Sequence, residues 1–205
     1  MVHFPEIIPD VPVSGIAFDS RSVSPGDIFV ALEGGSFDGH KFIPTAISKG
    51  ASAIVGRQNL IGISVPYVQV DKTRSTLAFL SAAFNNFPAH SLTMIGVTGT
   101  DGKTTTVNLI YHILRSAGIK AGMISTVNAI LGDNLVEDTG YHVTTPESPQ
   151  IQSYLARMVE NGLTHVVLEV TSHGLAQERV TACDFDIGVV TNITHEHLDY
   201  HGSYE

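Results

Sequence analysis

Ile95-Gly96-Val97-Thr98-Gly99-Thr100-Asp101-Gly102-Lys103-Thr104-Thr105-Thr106 decides the fold of this chain. An apolar run of this kind reads as a buried strand, and the glycines after it as a turn whose backbone N–H groups can close around an anion. The segment that follows has helical character, so its N-terminus adds partial positive charge at the same place. Lys103 stands where an ammonium can reach the β- and γ-oxygens of a nucleotide, and Thr104 where a hydroxyl can hold Mg²⁺. The pattern G-x-x-x-x-G-K-[ST] asks for glycine at position 97, and this chain has Val97, with glycines at 96 and 99. The turn is therefore a variant P-loop. The bland alternative is an ordinary glycine-rich turn before a helix.

Working outward from this turn, short apolar strands alternate with helices. Downstream, the spacing predicts a helix over residues 104–117, a strand over 122–126, a loop, a helix over 146–161 and strands over 166–170 and 187–191. With the strand at 92–98 that makes four, and their continuous apolar character predicts a parallel sheet covered on both faces. Upstream, strands at 27–32, 53–55 and 67–70 enclose a helix over 42–49, and a second helix covers 73–85. Asn85-Asn86-Phe87-Pro88 breaks that helix, so a boundary is expected near residue 90. The fold class is α/β, with a small domain over 1–90 and a P-loop domain over 91–205.

Composition narrows the function. Among 205 residues, 11 are Lys or Arg and 20 are Asp or Glu, giving a net charge of −9, and 43% are hydrophobic. Such a chain folds, and its balance argues against a nucleic-acid partner. The charged fraction of 15% is below the roughly 25% of an average globular protein. Cys183 is the single cysteine and cannot form an internal disulfide. The N-terminal Val2-His3-Phe4-Pro5-Glu6 lacks the basic start of a secretion signal, and apolar runs fall well short of the ~20 residues of a membrane span. The expectation is a cytoplasmic protein with no membrane partner.

Ligands of open α/β sheets sit beyond the carboxyl ends of the strands, so the polar residues there carry most weight. Glu169 ends an apolar strand and leads into Thr171-Ser172-His173-Gly174. A carboxylate in that setting needs a cation, either a metal or a nearby Arg or Lys. Thr194-His195-Glu196-His197-Leu198-Asp199-Tyr200-His201-Gly202 gathers histidines and acids without the paired cysteines of many zinc sites. One histidine beside a magnesium–nucleotide site, or solvated loop histidines, are the readings it leaves. Thr144-Thr145-Pro146-Glu147 reads as a helix N-cap with proline in the first turn, a position compatible with contact to an anionic ligand.

Together these segments resemble the Mur ligase family, the ATP-dependent amide-forming enzymes of bacterial cell-wall assembly. The resemblance spans nearly the whole chain. Asp19-Ser20-Arg21, Pro25-Gly26-Asp27, Phe29-Val30-Ala31 and Asp38-Gly39-His40 look like the N-terminal UDP-sugar-binding domain. Thr98 to Thr106 looks like the family's P-loop, with Asp101 where asparagine is commoner. Thr144-Thr145-Pro146-Glu147, Glu169-Val170-Thr171-Ser172-His173-Gly174-Leu175 and His197-Leu198-Asp199-Tyr200-His201-Gly202 are similar to the tripeptide-synthetase branch.

The resemblance implies that Gly99, Thr100, Asp101, Gly102, Lys103, Thr104 and Thr105 hold ATP. It places Thr104, Glu169 and His197 at Mg²⁺, and Ser20, Thr144, Thr145, Thr171, Gln177 and Arg179 on the substrate. Lys103, Glu169 and His197 become the catalytic group. Thr171 stands where the family usually has serine, and His195-Glu196 replaces a more usual Arg-Asp. The implied reaction joins an amino acid to UDP-N-acetylmuramoyl-L-Ala-D-Glu, the UDP-N-acetylmuramoyl-dipeptide, through an acyl phosphate, in peptidoglycan synthesis. The same resemblance implies that 1–205 is an N-terminal portion, lacking the C-terminal ligase domain and inactive alone, and the exposed edge of an incomplete parallel sheet predicts self-association. The competing readings are another P-loop small-molecule phosphotransferase and a non-catalytic module holding UDP-sugar or nucleotide.

Overall fold

The computed structural model describes residues 10–34, 38–133, 135–138, 144–194, 200 and 202–203. The chain divides into two compact units, Met1–Phe84 and Asn85–Glu205.

In the first unit, β1 (Gly15–Ala17), β2 (Asp27–Val30), α1 (Ile43–Ser48), β3 (Ala53–Gly56), β4 (Tyr67–Gln69) and α2 (Thr73–Phe84) follow one another, with a 3₁₀ turn at Gly39–Phe42 before α1. The sheet is wholly parallel in the order β1-β2-β3-β4. Successive residues of a strand face opposite sides, and here both sides are covered. Phe29 and Ile54 pack with Ile43 and Ala46 of α1, whereas Val30 and Val55 pack with Leu77 of α2. That double burial explains why β2 and β3 read as continuous apolar runs. β1 escaped the sequence reading because three residues, Gly-Ile-Ala, carry no periodicity.

The second unit runs β5 (Thr93–Thr98), α3 (Lys103–Ser116), β6 (Ala121–Ile124), β7 (Asn128–Gly132), β8 (Leu135–Asp138), α4 (Ser148–Glu160), β9 (His165–Glu169), α5 (Ser172–Ala176) and β10 (Ile187–Val190). Among the described residues its sheet has six strands in the order β10-β5-β9-β6-β7-β8. β10, β5, β9 and β6 are parallel, and β7 and β8 add antiparallel to the β6 edge. The expectation of four parallel strands is thus corrected to a mixed sheet of six. Part of the expected loop after residue 126 is a hairpin. Its strands are short, β8 is half charged, and only Gly132-Asp133-Asn134 marks the turn in the sequence.

β9 lies at the centre of this unit. Val166 and Leu168 face α4, packing among Met94, Ile151, Leu155 and Met158, while Val167 faces Val107 of α3 with Ile95, Val97 and Met123. A strand so enclosed has one place for a polar side chain to meet a ligand, its carboxyl end, and Glu169 is there. No helix among the described residues is long and apolar enough to cross a membrane.

Candidate functional site

The turn between β5 and α3 depends on two glycines for different reasons. Gly102 caps α3 with φ of 77°, in open space, so its need is conformational. Gly99, at φ of 138°, also has no room: a Cβ there would collide with the Thr191 hydroxyl and lie 2.7 Å from the Asn192 carbonyl oxygen. The first intrahelical bond runs from Thr106 N to Gly102 O at 2.9 Å. The N–H groups of residues 102–105 are therefore left without helical partners and form the positive end of the helix dipole.

Lys103 folds back over this turn. Its Nζ donates to Gly99 O at 2.8 Å and to Thr100 O at 2.7 Å. An ammonium has three donors, so one remains for an anion in front of the turn.

Glu169 closes the far side. Its side chain is 1% exposed. Oε1 accepts from the Thr104 hydroxyl at 2.8 Å, and Oε2 from the Thr126 backbone N–H at 3.0 Å. No Arg or Lys pairs with it among the described residues, which removes the ion-pair alternative left by the sequence. Its donors among the described residues are neutral, and a buried carboxylate is costly to ionise without a cation. With the Thr104 hydroxyl beside it, the donor set consists of hard oxygens and fits Mg²⁺. Thr126 and Thr144 join these residues and Thr100–Thr105 around a cleft of about 320 Å³.

A second cluster lies behind. Thr145 is fully buried, and its hydroxyl accepts from Thr171 N at 2.9 Å, with Glu169 O and Thr171 Oγ1 at 3.2 and 3.1 Å. The Thr171 hydroxyl in turn caps α5, accepting from Gly174 N at 3.0 Å. Arg179 Nη1 donates to Thr145 O at 2.7 Å, its Nη2 meets Glu147 Oε1 at 3.1 Å, and Nε and Nη2 hold Gln177 Oε1 at 3.0 and 2.6 Å. This arrangement corrects the N-cap reading. α4 starts at Ser148, with Glu147 in the cap position and Pro149 in the first turn, so the Thr145 hydroxyl caps nothing and turns inward instead. Of the expected threonine pair, Thr144 lines the cleft and Thr145 braces its wall.

The structure thus brings Thr100–Thr105 and Glu169 to one cleft, with Thr145, Thr171, Gln177 and Arg179 bonded to one another behind Glu169. Ser20 belongs to the first unit, buried in the turn after β1 beside the Asp19–Arg21 pair. His197 lies outside the described residues. Sequence reasoning missed Thr126, which acts through its backbone, and Thr191 and Asn192, whose only signal was their place just beyond a strand's carboxyl end.

In comparison with known proteins, residues 97–205 match the Mur ligase middle domain, and residues 12–85 match the Mur ligase family catalytic domain. The UDP-N-acetylmuramoyl-L-alanyl-D-glutamate--2,6-diaminopimelate ligase of Geobacillus thermodenitrificans is 44% identical over 193 residues, covering 94% of this chain and 39% of that protein. The UDP-N-acetylmuramyl-tripeptide synthetase of Deinococcus radiodurans is 43% identical over 198 residues, covering 96% of this chain and 40% of that protein. A solved diaminopimelate ligase superposes with a TM-score of 0.77 at 29% identity, over 96% of this chain and 40% of that one. The ligase MurF of Thermotoga maritima, solved in complex with ADP, gives a TM-score of 0.58 at 26% identity, over 96% of this chain and 42% of that one. The chain spans about 40% of the length of the curated relatives it matches.

Proposed function

This chain belongs to the Mur ligase family, and from that premise we propose that it serves ATP-dependent addition of an amino acid to UDP-N-acetylmuramoyl-L-Ala-D-Glu in peptidoglycan precursor synthesis. The observation that carries the reading is the buried Glu169 carboxylate, held among the described residues by neutral donors and bonded to Thr104 at the N-terminus of α3. The names of the tripeptide-synthetase relatives support the substrate, and the ADP bound to the Thermotoga maritima relative supports the nucleotide. A cytoplasmic location fits both.

A free carboxylate is a poor acyl donor. Transfer of the γ-phosphoryl group from ATP to it gives an acyl phosphate and ADP. The amine of the incoming amino acid then attacks the acyl carbon, and phosphate leaves from the tetrahedral intermediate. The first step needs alignment and neutralisation of several negative charges. The N–H groups of residues 102–105 and the free donor of Lys103 meet the phosphate oxygens. Thr104 and Glu169, with His197 by resemblance, are the residues that would hold Mg²⁺, which when bound supplies charge neutralisation at the phosphates. Thr144, Thr171, Gln177 and Arg179 form the side toward the muramoyl-peptide, with Thr145 bracing them and Ser20 serving the uridine nucleotide.

Calorimetric titration of the chain with ATP and Mg²⁺ tests this. Lys103→Ala is expected to weaken binding at least tenfold, because it removes the charged hydrogen bond to phosphate, worth about 1.5–3 kcal/mol. Unchanged affinity would remove the P-loop assignment. Titration with UDP-N-acetylmuramoyl-dipeptide of the wild-type chain and of Ser20→Ala tests the uridine assignment.

A further inference from the structure

The segment after β10 is laid against the phosphate-binding turn by a chain of hydrogen bonds. Thr191 N donates to Thr98 O at 3.0 Å, and the Thr191 hydroxyl to Asp101 O at 2.6 Å. The Asn192 carbonyl accepts from Thr100 N at 2.9 Å. Its side chain makes a two-way pair with the backbone of one residue: Oδ1 accepts from Asp101 N at 3.0 Å and Nδ2 donates to Asp101 O at 3.3 Å. Thr194 N completes the contact on the Thr100 hydroxyl at 2.9 Å.

We propose that Asn192 is a positioning residue that selects which amides of the turn face the phosphates. The inference rests on the nucleotide reading above. The N–H groups of Thr100 and Asp101 both point at Asn192, which withdraws them from any ligand. The donors left are those of residues 102–105, at the positive end of α3. Asn192 does not line the cleft, so its influence passes through Asp101. The turn it holds lies between Gly99 and Gly102, at φ of 138° and 77°, and glycine backbones offer little resistance of their own to re-aiming. Loss of the carboxamide leaves the Asp101 N–H without its acceptor and frees it to compete for the anion. The close approach that excludes a Cβ at Gly99 is the steric face of the same clamp.

The test compares the wild-type chain, Lys103→Ala, Asn192→Ala and Asn192→Asp for ADP binding with Mg²⁺, together with thermal melting and amide hydrogen exchange at Asp101 and Thr126. Asn192→Ala is expected to weaken ADP binding about tenfold, the scale of one or two hydrogen bonds. It should melt within about 2 °C of wild type. Exchange should accelerate at Asp101 and stay unchanged at Thr126. Asn192→Asp keeps the acceptor for Asp101 N, so part of the affinity should return at about 1 M salt, where a Debye length of about 3 Å screens the added charge. Wild-type affinity in Asn192→Ala, or a loss matched by faster exchange at Thr126 and a lower melting temperature, would overturn the positioning role. A different failure, wild-type affinity in Lys103→Ala or no ADP binding by the wild-type chain, overturns the nucleotide reading and the inference with it.

Discussion

Glu169 shows how much chemistry one buried side chain concentrates. Glu169→Gln preserves the shape of the site. Its amide oxygen can still accept from Thr126 N, and its NH₂ can donate to a Thr104 hydroxyl that has turned to accept. The fold should survive, and what disappears is the charge. Nucleotide binding in the presence of Mg²⁺ is then expected to fall by more than binding in EDTA, and equal losses in the two titrations would assign Glu169 a structural role. Asp101 sets the opposite test. Its exposed carboxylate lines the cleft in front of α3 and has no partner among the described residues. Asp101→Asn should tighten metal-free ATP binding severalfold, since a like-charge interaction at partly screened distance is worth about 1 kcal/mol. It should change Mg²⁺-ATP binding less, and the gain should shrink with added salt.

The sequence exposed Glu169 because a carboxylate inside a β-branched run is costly enough to require a reason. Asn192 had no such mark. An asparagine after a strand is ordinary, and its partner is the backbone of a residue some ninety positions away, which no residue-type pattern can announce. Cys183 is legible from both sides: a lone cysteine in the sequence, fully buried in the structure, with burial pushing its thiol up to about 12. The native chain should resist iodoacetamide at pH 8, and labelling should appear only with unfolding of the second unit.

At the scale of elements, the β5–turn–α3 unit was readable because each part carries its own signal: apolar strand, paired glycines, Gly-Lys-Thr. The β7–β8 hairpin was not, since its strands are packed by tertiary contact with β6 and Asn161 and carry weak intrinsic patterning. The two turn glycines separate steric from conformational need. Gly102→Ala should cost about 1–2 kcal/mol, the penalty of a left-handed alanine, while Gly99→Ala should cost more and also weaken nucleotide binding, because the clamp must move. Chemical denaturation of both variants measures the difference, and equal costs would show that the crowding at Gly99 relaxes freely.

Among the described residues β10 is an edge of its sheet, with Ile187 48% and Val190 58% exposed and no lysine, proline or bulge along it. Unprotected edges pair with other chains. Self-association through this edge is our proposal. Val190→Lys should shift sedimentation toward monomer, whereas a monomeric wild type at about 100 µM, within the micromolar-to-millimolar range where exposed edges associate, would dismiss it.

For the whole molecule, alternation of strand and helix was enough to read two α/β units, because a doubly covered parallel sheet writes itself as apolar strands between helices. Each unit has its own core, and residues 1–84 alone are expected to fold, with a cooperative melt by circular dichroism; a non-cooperative profile would show that the first unit depends on the second. Acid stability follows from the surface carboxyls. Hydrogen bonds from Arg21 to Asp19, from the His40 N–H to Asp38 and from Arg157 to Glu137 hold these groups below the usual carboxylate range. A lowered folded value means stability that is complete above the unfolded values, about pH 4, and lost as pH falls through the folded ones. The melting temperature should be level from neutrality to about pH 5 and decline below that. A decline beginning above pH 6 would point to histidines instead.

The posture of Lys103 has an entropic meaning. A free lysine moves through many rotamers, and fixing it costs as much as about 2 kcal/mol. Here the two loop carbonyls at 2.8 and 2.7 Å have already fixed it. That cost is met when the chain folds, so an arriving anion finds the ammonium already placed and its binding carries less entropic loss. Substituting the acceptors' geometry, by moving the carbonyls of Gly99 or Thr100, would loosen the lysine and lower affinity without touching any atom that meets the ligand.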